Sequence, residues 1–302
     1  MAKLWSSLKP YLRWVILGGT LFFLAKTLKD HAGEVAAIRI AGAGWVSLAI
    51  AFTITLLAHT WSGLVWNWIL QSFQQPVKPR WVIQVYLKTN IAKYLPGNVW
   101  HYYGRISAVT EAGGSLGAAT LSVLLEPLLM AAAALLITLL GGQLNTEHRI
   151  WQVLGLAAIL LAVHPLILNP ILQQLRRMKS KGTTTEVFKL KQYPFLPFLG
   201  ELGFVVLRGT GFLFVLLALT PVNPSLIPQL LSAFSLAWVL GLVVPGAPGG
   251  IGVFEATAIA LLNGQYPTGL ILSVVALFRM VSILAEVVAA GLATFSESLS
   301  KE

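Results

Sequence analysis

The chain has 302 residues, 56% hydrophobic and 11% charged, with a formal net charge of +10 and no cysteine. A soluble domain carries about 25% charged residues, so the composition excludes one and points to an all-α polytopic membrane protein. Without a thiol there is no disulfide, thiolate metal site or cysteine nucleophile.

Met1–Pro10 is short and basic, and Tyr11–Leu28 reads as a retained first span with no cleavable signal. Trp45–Leu70 is a second span, and its Trp61, Trp66 and Trp68 suggest an interfacial belt. Trp81–Gly104 is apolar but interrupted by Lys88, Lys93 and Pro96-Gly97-Asn98, which cannot continue a helix. Leu116–Leu140, Ile150–Leu172 and Pro194–Leu219 are further spans. Between the last two lies the basic linker Gln173–Tyr193. Thr220–Gln229 reads as an uncharged, proline-rich loop. Two apolar arms follow, Leu230–Leu242 and Val253–Leu262, each short of the about 20 residues that cross a bilayer. Pro245, Gly246, Pro248, Gly249, Gly250 and Gly252 break the chain between them. Gly269–Phe295 is the last span.

Lysine and arginine in short loops mark the cytoplasmic side, so the N-terminus and the 173–193 linker are placed there. The basic residues report orientation and headgroup contact, and nucleic acid is not an expected partner. Alternation then needs Trp81–Gly104 to enter and leave on the cytoplasmic side, and the Pro245 hairpin on the other. The expected architecture is a single domain, 1–302, of about six transmembrane helices plus two re-entrant broken-helix hairpins. The hairpins relate halves of about 45–140 and 194–295 as an inverted repeat. Two unrelated Pro-Gly loops are the plainer alternative.

A half-helix that starts at a break leaves its first N–H groups without helical partners, and those groups and the helix dipole favour an anion. Asn98 suits the N-cap of the first half-helix, and Gly249 and Gly250 allow a close approach to the second. Glu126, Glu201, Arg208, Arg279 and Glu286 fall inside spans, and Arg105 and Glu255 border the breaks. Each charge costs roughly 2.5–3.5 kcal/mol at a helix centre, so each needs a partner or a function. Glu201 and Arg208 share a face two turns apart, as do Arg279 and Glu286 in reverse order. Facing stripes would pair Glu201 with Arg279 and Arg208 with Glu286, or each with Arg105, Glu126 and Glu255. The functional reading is a polar cavity with arginines on phosphate and glutamates on an amine or proton. The alternative is a set of structural ion pairs. The expected binding residues are Pro96, Gly97, Asn98, Arg105, Glu126, Arg208, Pro245, Gly249, Gly250, Glu255 and Arg279. No catalytic residue, metal or cofactor is expected, since His59, His101 and His164 lack ligand spacing.

Val244-Pro245-Gly246-Ala247-Pro248-Gly249-Gly250-Ile251-Gly252-Val253-Phe254-Glu255 resembles the second signature of the lysylphosphatidylglycerol synthase transmembrane family. Tyr94-Leu95-Pro96-Gly97 with Gly104-Arg105 is similar to its first motif, Glu126 to its glutamate helix, and Leu277-Phe278-Arg279 to its late arginine helix. Pro127 stands where the family commonly has a basic residue, and Trp100–Tyr103 replaces an acid of the first motif. The resemblance is to the flippase-like part of the multiple peptide resistance factor. The soluble aminoacyl-transferase domain has no counterpart in these residues. It implies a translocator of a phospholipid or polyprenyl-phosphate lipid in the cell membrane, with anionic or phosphate-bearing lipids as partners, a compatible oligomer and no enzymatic step. An ion- or proton-coupled solute transporter, or an accessory subunit of a lipid-modifying enzyme, fits the same pattern.

Overall fold

The computed structural model describes residues 39–94, 99–141, 146–179, 189–244 and 250–299, with Lys29 and Gly33. The predicted span Tyr11–Leu28 lies outside the described residues, as do Pro96, Gly97, Asn98, Pro245 and Gly249. Among the described residues every regular element is helical.

Four long helices match predicted spans: α1 (Gly42–Ser72), α4 (Leu116–Leu140), α7 (Phe195–Leu219) and α10 (Thr268–Leu299), the last of which is numbered after the elements introduced below. Each is long and apolar enough to cross a membrane, which makes this a multi-pass membrane protein. Where α4 begins, the Ser115 hydroxyl accepts from the Ala118 N–H at 3.4 Å, a side-chain N-cap.

Short helices fill the spaces between them. α2 (Pro79–Asn90) runs through a 3-10 turn (Ile91–Tyr94) to the first break, and α3 (Trp100–Glu111) packs back on α2. A Cβ on Gly104 would lie 3.0 Å from the Thr89 methyl. Twelve residues rise only about 18 Å, short of the about 30 Å hydrocarbon core. The capping position of α3 falls on Val99, with no side-chain cap, rather than on the expected Asn98.

Two elements depart from the sequence reading. The expected span Ile150–Leu172 is two helices, α5 (Thr146–Ala162) and α6 (Pro165–Lys179), bent by 65°. Pro165 has no N–H to continue α5 and disfavours a helical His164, so the break falls just before it. α6 also carries the helix into the first residues of the predicted linker. The arm expected at Leu230–Leu242 is longer: a 3-10 turn (Pro224–Leu226) leads into α8 (Ile227–Val243). Together these 20 residues are apolar enough to cross. Pro224 and Pro228 sit in first turns, where a missing N–H removes no bond. Its partner α9 (Val253–Leu262) is short, with 10 residues.

α1 and α7 lie antiparallel along a glycine seam. A Cβ on Gly44 would meet the Ala218 carbonyl at 2.6 Å, on Gly211 the Thr55 hydroxyl at 2.9 Å, and on Gly200 the Val65 methyl at 2.6 Å. Small residues allow this approach where lipid gives no hydrophobic drive between helices. Trp61 Nε1 donates to the Gly200 carbonyl at 2.7 Å, and Trp66 is fully buried with Nε1 on Ser122 Oγ at 3.1 Å. Trp66 is therefore a core residue and not part of the expected interfacial belt. Phe212, Phe234, Phe254 and Phe278 bring α7, α8, α9 and α10 together, with ring centroids 5.4–6.2 Å apart.

Candidate functional site

Both hairpins open onto one cavity of about 370 Å³. Lys93 and Tyr94, before the first break, line it together with Gly250 and Ile251, after the second. His59 of α1, Arg105 of α3, Glu126 of α4, Arg208 of α7, and Arg279 and Glu286 of α10 complete its charged wall. The seven charges singled out from the sequence are thus brought close together. Six line this cavity or pair with a residue that does, and Glu201 alone does neither.

Arg105 is 2% exposed and anchors a buried network that engages both of its terminal nitrogens and leaves its Nε without a partner. Its Nη1 donates to Glu126 Oε2 at 2.7 Å and its Nη2 to Asn90 Oδ1 at 3.4 Å, while its guanidinium carbon lies 3.7 Å from the Tyr86 ring centre. Tyr86 donates its hydroxyl to the other Glu126 oxygen at 2.7 Å and shares a 2.6 Å hydrogen bond with Ser62. A buried pair offsets its desolvation only when further hydrogen bonds complete it, and Tyr86 and Asn90 supply those.

The second hairpin is tied in the same way with the charges exchanged. Arg279 Nε donates to Glu255 Oε1 at 2.6 Å, and its Nη2 to the Gly250 carbonyl at 3.2 Å. The other Glu255 oxygen accepts from the Gly252 N–H at 2.5 Å, a reach back to the N-cap that is half of a capping box. The Gly252 N–H at this half-helix start is therefore engaged by the chain's own carboxylate, against the expectation of free groups for a ligand. Gly250, with φ +70°, faces α8 as well as the cavity: a Cβ there would lie 3.0 Å from the Gly241 Cα. Each oxygen of Glu126 and Glu255 already accepts one hydrogen bond from the chain itself.

A third cluster contains residues that the sequence reading left out of the site. Lys93 Nζ donates to Glu286 Oε1 at 2.5 Å, and His59 Nε2 lies 3.1 Å from the same oxygen without hydrogen-bond geometry. Glu286 Oε2 and His59 Nε2 have no hydrogen-bond partner. In the sequence, Lys93 shows only as an interruption in an apolar stretch. A cation three residues before a membrane break is the signal that points to it. Arg279 pairs with Glu255, so of the two pairing schemes offered by spacing, the one through the residues beside the breaks describes it.

Four cations line the cavity: Lys93, Arg105, Arg208 and Arg279. Three have a carboxylate oxygen within 2.7 Å. Arg208 has none among the described residues. It is 8% exposed, its guanidinium carbon sits 4.6 Å from the Phe278 ring centre, and its Nη1 has no hydrogen-bond partner. Arg208 is therefore the one cation of this wall without a carboxylate in contact among the described residues, in a place where an unpaired ion is costly.

No curated protein matches the chain. The family model described as the lysylphosphatidylglycerol synthase TM region matches residues 11–290, nearly the whole chain. The protein belongs to the lysylphosphatidylglycerol synthase TM region family.

Proposed function

We propose that the protein is a flippase-like lipid translocator of the cell membrane, and that the cavity between the hairpins receives an anionic, phosphate-bearing headgroup of a phospholipid or polyprenyl-phosphate lipid. The observation that carries this reading is Arg208, a buried guanidinium on the cavity wall with no carboxylate against it. An anion there completes the charge balance that the other three cations already have. Lys93 and Arg279, each held by an acid, add to the positive field around it.

A lipid fits better than a free solute because part of the cavity lining is apolar and exposed at its edge. Leu242 and Ile283 are 36% and 43% exposed and also line the cavity, giving an acyl chain a path that a hydrated solute does not need. On this reading the hairpins form an inverted repeat with the N-terminus in the cytoplasm, and each half contributes one charge pair to the wall. The function is binding and movement, with no bond-making step.

The test is reconstitution in vesicles containing phosphatidylglycerol with a fluorescent headgroup label. Label in the inner leaflet becomes accessible to an external quencher faster than in protein-free vesicles. Equal rates overturn the reading, as does an Arg208→Gln protein that is folded and moves lipid at the wild-type rate.

A further inference from the structure

Glu201 is the one singled-out charge that neither borders the cavity nor contacts a residue that balances it. It is 0% exposed, and both of its carboxylate oxygens lack a hydrogen-bond partner. Next to it in the chain, Gly200 packs closely on Val65 and Trp68 of α1. An ionised carboxylate in such a place costs far more than the same group holding its proton.

The elements packed against α7 are α1, α4, α8 and α10. Their ionisable residues are His59 on α1, Glu126 on α4, and Arg279, Glu286 and Glu297 on α10, while α8 has none; Arg208 is the other charge on α7 itself. Of these, Glu126 stands on α4, which packs against α7, and it holds Arg105 of α3 at 2.7 Å. Two carboxyl groups therefore share one guanidinium. Arg105 is committed to Glu126 at 2.7 Å, so the group left over is Glu201. With one proton on the two carboxyls the trio is neutral, and without it the trio carries one buried negative charge.

We propose that Glu201 is a proton-binding site, neutral at rest, whose proton is exchanged with Glu126 when the Arg105 pair opens. In that step the proton leaves a Glu201 oxygen and is taken up by Glu126, and Arg105 passes to the new Glu201 carboxylate. Charge is conserved throughout. If the translocator reading holds, a headgroup phosphate that drew Arg105 away would require a second proton on the two carboxyls. Lipid and proton would then move together.

Infrared spectroscopy of the purified, membrane-reconstituted protein at neutral pH tests the site without any lipid assay. A protonated-carboxyl C=O band is expected and is lost in Glu201→Gln; Glu126→Gln, which leaves Glu201 as the one carboxyl facing Arg105, is expected to lose it as well, because Glu201 then ionises. Absence of the band in the wild type, or its survival in Glu201→Gln, overturns the proposal. Glu201→Leu is a second check: a neutral buried site tolerates it, with thermal unfolding close to wild type. A site ionised against Arg105 does not, and strong destabilisation overturns the proposal. In vesicles, an inward pH gradient speeds wild-type lipid movement several-fold and leaves Glu201→Gln unaffected. Equal stimulation of both overturns the coupling. No lipid movement in wild-type vesicles would defeat the translocator reading and leave the infrared result to decide on Glu201.

Discussion

Arg105 Nη1 donates to Glu126 Oε2 at 2.7 Å, linking the short helix after the first break to the next long span. After the second break, Glu255 on α9 and Arg279 on α10 repeat the link at 2.6 Å with the charges exchanged. Removing one partner of a buried pair strands the other, at about 3–5 kcal/mol. Arg105→Ala and Glu126→Ala are each expected to lose that much stability. The double variant Arg105→Leu/Glu126→Leu should lose less than either, since it leaves no orphaned charge. Unfolding midpoints in detergent compare the three. A double variant that costs the sum of the singles shows that the two residues do not act as a pair.

Arg208 gives the opposite expectation. No carboxylate is in contact with it among the described residues, so Arg208→Gln should change folding stability by less than about 1 kcal/mol. Loss of one charge-assisted contact to phosphate should lower lipid movement about tenfold, equivalent to about 1.4 kcal/mol. Thermal unfolding and the vesicle assay on the same preparation separate the two effects.

Glu286→Gln should raise the affinity for anionic lipid, because it removes the acid against Lys93 and adds one positive charge to the wall. Native mass spectrometry should find more phosphatidylglycerol retained than by the wild type, with retention of zwitterionic lipid unchanged. The protein should also unfold at a lower temperature, because Lys93 then loses its ionic partner. Lower retention of anionic lipid would show that Glu286 itself holds the headgroup.

The contact between Gly241 and Gly250 makes a local prediction. Gly250→Ala combines a φ of +70° with a 3.0 Å approach to the Gly241 Cα, and is expected to cost about 1–3 kcal/mol. Gly264→Ala is the control, since a Cβ there meets nothing within 4 Å, and should stay within about 0.5 kcal/mol. Equal unfolding midpoints for the two variants would mean that the backbone at Gly250 can move away.

The long spans were legible because an apolar run of 20 or more residues needs no other information to be placed. Burial of the charges was legible for a related reason: an ionisable residue in such a run must turn inward. Their partners were not. Helical spacing says that Arg279 and Glu286 share a face, but not which helix lies opposite. Arg279 meets Glu255 on the adjoining short helix, while Glu286 meets Lys93 from the other hairpin. The bend before Pro165 and the early start of α8 turned on whether a proline closes one helix or opens the next. Local propensity allows both. Arg208 stands out only through what is missing beside it, and no pattern of residues encodes that.

The glycine seam between α1 and α7 fixes which parts of the molecule can move. Backbone set against backbone and short side chains has no rotamer to yield, so sliding or parting these helices would open voids along their length. The pair behaves as an axle that keeps its spacing. Any change in the shape of the cavity is then expected in the helices that carry the two charge pairs, α2–α3 and α8–α9. Cross-linking α1 to α7 should leave the protein working, whereas a cross-link tying either hairpin to this axle should stop it.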